Sequence, residues 1–150
     1  MKFRVTLPRT RSQLRDYYFF RWWVLRRPWH QPLGSERDDL DEKAIHVMAV
    51  SGKDVIACGR LHFNSRAEAQ FRYMGVHKDM RGKGVGRAVL TRLEGEARKR
   101  GAHYCWFNAR EGAVPFYEIC GYSIFEPSYI LYKVIPHWKM MKELRLKVFI

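Results

Sequence analysis

The residues best arranged for chemistry run from Val76 to Arg87, with Arg81, Gly82, Lys83, Gly84, Val85 and Gly86 at their centre. An apolar strand pattern enters a glycine-rich turn, and the turn opens a helix. Backbone N–H groups converge at such a turn, and the helix N-terminus adds partial positive charge. Glycine lets the main chain approach an anion with no Cβ in the way. The arrangement suits a pyrophosphate. A P-loop would need Ser or Thr after Gly82-Lys83, where Gly84 stands. The dinucleotide fingerprint would need glycine at 87, where Arg87 stands. What remains is Arg-x-x-Gly-x-Gly. A bare glycine turn costs stability beside a strong helix, so three glycines there point to a ligand. The six histidines never fall in a zinc-like spacing with each other or with Cys58, Cys105 and Cys120, and no metal is expected.

The elements that must position this turn follow from periodicity. Met1–Leu7 reads as a short strand. Thr10 with Gln13 has capping-box spacing, and Leu14, Tyr17, Tyr18, Trp22 and Leu25 recur at helical spacing, so a helix is expected over 11–27, stopped by Pro28. Its aromatic stripe reads as core. The stretch 29–42 reads as a loop with a short helix around 35–40. Three β-like runs follow, 44–50, 55–63 and 69–76, joined by short antiparallel links. A helix from the glycine turn to Arg100 buries Val85, Val89, Leu93 and Ala97. Strand 103–108, helix 113–120 and closing strands 122–125 and 130–134 complete the pattern. His137 and Trp138, after Pro136, read as packing or capping residues. The fold class is mixed α/β, with a largely antiparallel first half.

The length of 150 residues fits one domain, 1–150. With 47% hydrophobic and 15% aromatic residues, the chain can bury a core. No apolar run approaches the roughly 18–20 residues that cross a bilayer, so a protein that is neither membrane-bound nor exported is expected. An odd number of cysteines without Cys-x-x-Cys suits a reducing, cytoplasmic setting. The net charge of +13 favours anionic partners. It is scattered, and only Arg26-Arg27 and Arg98-Lys99-Arg100 cluster, which reads as solvated helix ends.

The glycine turn resembles the pyrophosphate-binding (Arg/Gln)-x-x-Gly-x-(Gly/Ala) of the GNAT superfamily of N-acetyltransferases. Asn108 followed by Ala113, Phe116, Tyr117, Gly121 and Tyr122 is similar to the ending of that family's domain. The two motifs stand in the family's order and separation, and the likeness covers about 44–134. The N-terminal Tyr-Tyr, Arg-Trp, Leu-Arg, Pro-Trp and Gly-Ser-Glu-Arg pattern resembles one branch, which includes the acetyltransferase half of proteins fused to a hot-dog thioesterase domain.

The resemblance implies a GNAT-like acyl-CoA N-acyltransferase fold with a splayed central strand and flanking helices. It implies acetyl-CoA as cosubstrate: backbone near Met74 and Val76 along the pantetheine arm, amides from Arg81 through Arg87 on the pyrophosphate, Lys83 and Arg87 near CoA phosphates, with Asn108 and Phe116 beside the cofactor. Tyr117 matches the tyrosine that protonates the leaving thiolate, which suits a phenol of pKa near ~10. The family's common glutamate base falls on Gln70, which cannot take a proton. Strand alternation, barring a bulge, puts Gln70, Arg72 and Met74 on one face, towards the acceptor. Arg72 suits a carboxylate or phosphate there, or a salt bridge inside the sheet. Glu36 and His62 are the candidate bases, Glu36 also reading as a helix-start carboxylate. Deprotonation through water needs no dedicated base.

The leading expectation is therefore acetyl transfer to a small-molecule or peptide amine by direct attack. A CoA-binding module with little catalysis, and acyl transfer from an acidic acyl-carrier protein, are the alternatives; a homodimer is compatible with either. Nucleic-acid binding fits the charge but lacks any helix-turn-helix or RNA-binding signature.

Overall fold

The computed structural model describes residues 2–144. Strand β1 (Arg4–Thr6) leads to helix α1 (Arg11–Leu25), then to a 3-10 turn at Arg27–Trp29. Strands β2 (Ile45–Ser51), β3 (Asp54–Phe63) and β4 (Glu68–Val76) follow. Helix α2 (Val85–Lys99), β5 (Tyr104–Arg110), α3 (Val114–Ile119), β6 (Ser123–Leu131) and β7 (Ile135–Glu143) complete the chain. The seven strands form one sheet in the order β1-β2-β3-β4-β5-β7-β6, antiparallel throughout except for the β4–β5 pair.

The capping box forms as its spacing predicts: the Thr10 hydroxyl accepts from the Gln13 amide, and the Gln13 side chain returns the bond. Each sheet face carries one long helix, and the short α3 lies on the α2 side. On one side Val85, Val89, Leu90, Leu93 and Ala97 of α2 pack on Val47, Ala49, Leu61, Phe71 and Phe107. Gly59 sets that approach, since a Cβ there would stand 2.8 Å from Leu93 Cδ1. On the other side Tyr17 and Phe20 of α1 pack on Met48, Val50 and Cys58. The aromatic stripe of α1 is thus partly core, while Phe19 and Trp23 on its outer side stay exposed.

Three expectations are corrected. The stretch around 35–40 forms turns and no helix, because the carboxylates of Asp38 and Asp41 bond main-chain amides locally. The two closing strands expected at 122–125 and 130–134 belong to one edge strand, β6. Bulges near Pro127 absorb the missing donor, and an edge tolerates it. The true hairpin turn is Tyr132-Lys133, both with positive φ, and it leads into β7, which carries His137 and Trp138 between β5 and β6.

Candidate active site

Strands β4 and β5 pair only at Glu68–Tyr104, Ala69–Cys105 and Gln70–Trp106. Beyond that point they part, so main-chain groups of β4 and β5 no longer satisfy each other. A bulge in β4 sharpens the divergence. Cys58 faces Gly75 and Arg60 faces Arg72, so Tyr73 and Met74 together oppose Gly59. Tyr73 takes φ of 55°, costly for a bulky residue. The Cys58 thiol, which donates to the Tyr73 carbonyl at 3.2 Å, helps to hold it.

The bulge changes which residues share a face. Gln70 and Arg72 stay on the α1 side. Met74 and Val76 turn to the α2 side, where they pack against the main core. The alternation that would keep Met74 beside Gln70 and Arg72 is therefore broken, as an inserted residue must break it.

On the α2 side the residues expected to hold the cosubstrate come together. Gly82 and Gly84 both have left-handed φ, 76° and 81°, which glycine alone adopts without strain. Gly84 is the N-cap of α2 with no side chain bonded to the helix end, so the first amides, Val85, Gly86 and Arg87, have no partner within the helix. A Cβ on Gly86 would lie 3.2 Å from Val76 Cγ2 and 3.9 Å from the Phe116 ring, which seats the helix start against the end of β4. From α3, Tyr117 packs its ring 4.4 Å from that of Phe107 on β5, and its hydroxyl stands 3.9 Å from Met74 Sδ on β4. Tyr117 thus spans the gap between the strands. Burial pushes its phenol up to about 12, with Arg110 opposing, so it remains a proton donor at neutral pH. Asn108 faces the opposite side, where its side-chain oxygen accepts from Ser128.

The α1 side holds a charged cluster. Arg21 and Arg60 are fully buried and share Asp41 Oδ1 at 2.9 and 3.1 Å. Asp38 joins Arg60 to Arg72, the latter at 2.9 Å. The salt bridge expected of Arg72 is thus made to the loop before β2 and not inside the sheet. Although burial opposes ionisation, the guanidiniums and backbone amides hold both Asp38 and Asp41 below the usual carboxylate range. The Tyr73 ring lies among four guanidiniums, Arg21, Arg26, Arg60 and Arg72, at 4.3, 5.6, 4.9 and 4.5 Å. Arg26 is half-buried and bonds the Ser35 carbonyl, so it is no solvated helix end.

Both nominated bases are buried and engaged by neighbours. Glu36 is 4% exposed, and Oε1 accepts from the Gly34 amide, so it starts no helix. His62 Nδ1 faces Arg60 Nη2 at 3.2 Å, which fixes Nδ1 as acceptor and Nε2–H as donor to Gln70. His46 is likewise engaged at both nitrogens, by Tyr17 and by the Asp41 carbonyl. His137 differs. It is 7% exposed, its Nδ1–H donates to the Ile135 carbonyl at 2.9 Å, and Nε2 keeps its lone pair. It pairs across strands with Arg110 at the end of β5, and its ring stacks on that of Tyr129 at 4.6 Å. Burial, aided by Arg110, pushes it below the ordinary histidine value, so it is neutral and able to accept a proton. Sequence reading missed it because its strand, β7, was itself missed. Among the described residues no cluster of metal-ligating side chains occurs.

The model of the acetyltransferase (GNAT) family matches residues 8–122. The chain is 29% identical over 140 residues to the Bacillus subtilis protein named "Uncharacterized N-acetyltransferase YjcF", covering 93% of this chain and 99% of that one. A solved acyl-CoA N-acyltransferase from Pseudomonas aeruginosa superposes with a TM-score of 0.78 at 20% identity, over 94% of this chain and 98% of that one. An aminoglycoside 6'-N-acetyltransferase solved with coenzyme A gives 0.77 at 14% identity, over 99% and 100%. The two solved structures support the fold.

Proposed function

The chain belongs to the acetyltransferase (GNAT) family, and from that premise we propose that it moves an acetyl group from acetyl-CoA to an amine by direct attack within a ternary complex. As an N-acetyltransferase it must bind a thioester, align an amine with it and release a thiolate. The residues present fit acetyl-CoA. The free amides of Val85, Gly86 and Arg87 and the open, left-handed glycines 82 and 84 suit the pyrophosphate. Lys83 and Arg87 add positive charge beside it. The gap between β4 and β5, with Met74 and Val76 on one wall, suits the pantetheine arm.

The observation that carries this reading is Tyr117. It is a proton donor that touches both walls of the gap. In the proposed reaction the neutral amine attacks the thioester carbonyl, and alignment supplies much of the rate. Backbone N–H near Val76 stabilises the charge that develops on oxygen. The carbon–sulfur bond breaks and Tyr117 gives its proton to the thiolate. The amine's proton leaves to water or to His137 Nε2. Arg72 and Gln70, on the α1 side, face the acceptor.

The net charge of +13 supports anionic partners in general. An acidic carrier protein as donor, and pairing of two copies, are secondary parts of this proposal. So is membership of the branch sometimes fused to a thioesterase, which rests on the N-terminal pattern. The test is thiol release from acetyl-CoA across a panel of amines, with the acetylated product identified by mass. Amine-dependent release that collapses in Tyr117→Phe supports the reading. Saturable CoA binding with no release for any amine points instead to a binding module.

A further inference from the structure

We propose that the acceptor is a small amine that also carries an anionic group, a carboxylate or a phosphate, and that the guanidiniums around Tyr73 hold that group. The inference rests on the acetyl-transfer reading above and names its substrate class.

Four guanidiniums converge on one bulged tyrosine, while two carboxylates, Asp38 and Asp41, pair with three of them. Glu36, a further carboxylate nearby, accepts from a backbone amide through one oxygen and pairs with none of the four. Positive charge is therefore in excess. Arg21 and Arg60 are 0% exposed, and the Nε of each has no hydrogen-bond partner among the described residues. The two fully buried guanidiniums are matched in charge by Asp41 and Asp38, so the surplus rests on Arg72 and Arg26, which would have to bind the anion.

The accessible members can do so. Arg72 is 44% exposed and commits only one nitrogen, to Asp38. Arg26 bonds two carbonyls through Nε and Nη1, leaving Nη2 without a partner. A planar fork of this kind matches a carboxylate or phosphate. A surplus of positive charge fits a site whose β4 position 70 holds an amide and not a carboxylate.

The experiment compares matched acceptors with wild-type enzyme and acetyl-CoA: O-phosphoethanolamine against ethanolamine, and glycine against glycinamide, with spermidine and kanamycin as polycations. The expected kcat/KM is ten- to a hundredfold higher for the anionic member of each pair, and negligible for the polycations. In Arg72→Gln the anionic-to-neutral ratio should fall towards one, and Arg72→Lys should restore part of it. In parallel, O-phosphoethanolamine should raise the melting temperature of the CoA-loaded protein, ethanolamine should not, and Arg72→Gln should lose the shift. Equal or faster turnover of the neutral or polycationic amines overturns the inference while leaving acetyl transfer intact. Absence of any O-phosphoethanolamine shift, with CoA still bound, overturns it too. Failure to bind CoA at all sinks the underlying reading instead.

Discussion

Gly84→Asp separates binding of acetyl-CoA from folding. Gly84 caps α2 with φ of 81°, and a Cβ there meets no atom within 4 Å. The side chain is therefore sterically free, and the folding cost comes from backbone strain alone, about 1–2 kcal/mol. For a chain of this size that lowers the melting temperature by about 2–8 °C. The effect on the ligand is larger. A carboxylate placed about 5 Å from a phosphate charge, at an effective dielectric of ~20, costs about 3 kcal/mol, close to a hundredfold in affinity. At a coenzyme A concentration about 100 times its dissociation constant, wild type gains about 2.7 kcal/mol, or about 5–11 °C. At the same concentration the variant should gain about 0.4 kcal/mol, a shift of roughly 1 °C. Differential scanning fluorimetry with and without coenzyme A reads both numbers. A variant that melts a few degrees lower yet keeps the full ligand shift would refute the placement of the pyrophosphate on these amides.

Tyr117→Phe should lower kcat by roughly ten- to a thousandfold with coenzyme A affinity little changed, read by steady-state kinetics beside a binding titration. His137→Gln should remove the acid limb of the kcat/KM profile. In wild type that limb should lie below the ordinary histidine value of ~6.5, because burial lowers this group; an unchanged profile would show that water takes the proton. Asp41→Asn should destabilise by about 3–5 kcal/mol, since it leaves Arg21 and Arg60 buried without their shared anion; urea unfolding measures it, and a loss under 1 kcal/mol would contradict the account of the cluster. Stability should also fall on acidification in two stages. His46, His62 and His137 have lowered folded values, so the unfolded chain binds protons first, and stability declines as pH drops below ~6.5. Asp38 and Asp41, also lowered, contribute above ~3.9, and their share is lost as pH falls through their folded values. A melting temperature flat from pH 7 to 5 would contradict the first stage.

The elements governed by local periodicity were legible in the chain. The capping box, both long helices, β2 to β5 and the glycine turn stand within a few residues of their expected places. What escaped was set by tertiary context. Tyr132-Lys133 carries no turn signature, while Glu126-Pro127-Ser128 resembles a break, so one long edge strand read as two and β7 vanished with its His137. The bulge at Tyr73 has no glycine to announce it, and it alone turns Met74 to the α2 side while Arg72 stays on the α1 side. The arginines looked scattered because Arg21, Arg26, Arg60 and Arg72 come from one helix end and two strands. Only the packing of α1 over β3 and β4 brings them to one ring. The glycine turn was readable because its geometry is local, a turn and a helix start. The arginine cluster on the α1 side draws on contacts remote in sequence.

The most direct test of the central claim is a crystal structure of the protein with coenzyme A. The account predicts the pyrophosphate on the amides from 82 to 87, the pantetheine arm between β4 and β5 beside Met74 and Val76, and the thiol within hydrogen-bond reach of the Tyr117 hydroxyl. Coenzyme A bound elsewhere, or with its thiol remote from Tyr117, would contradict it.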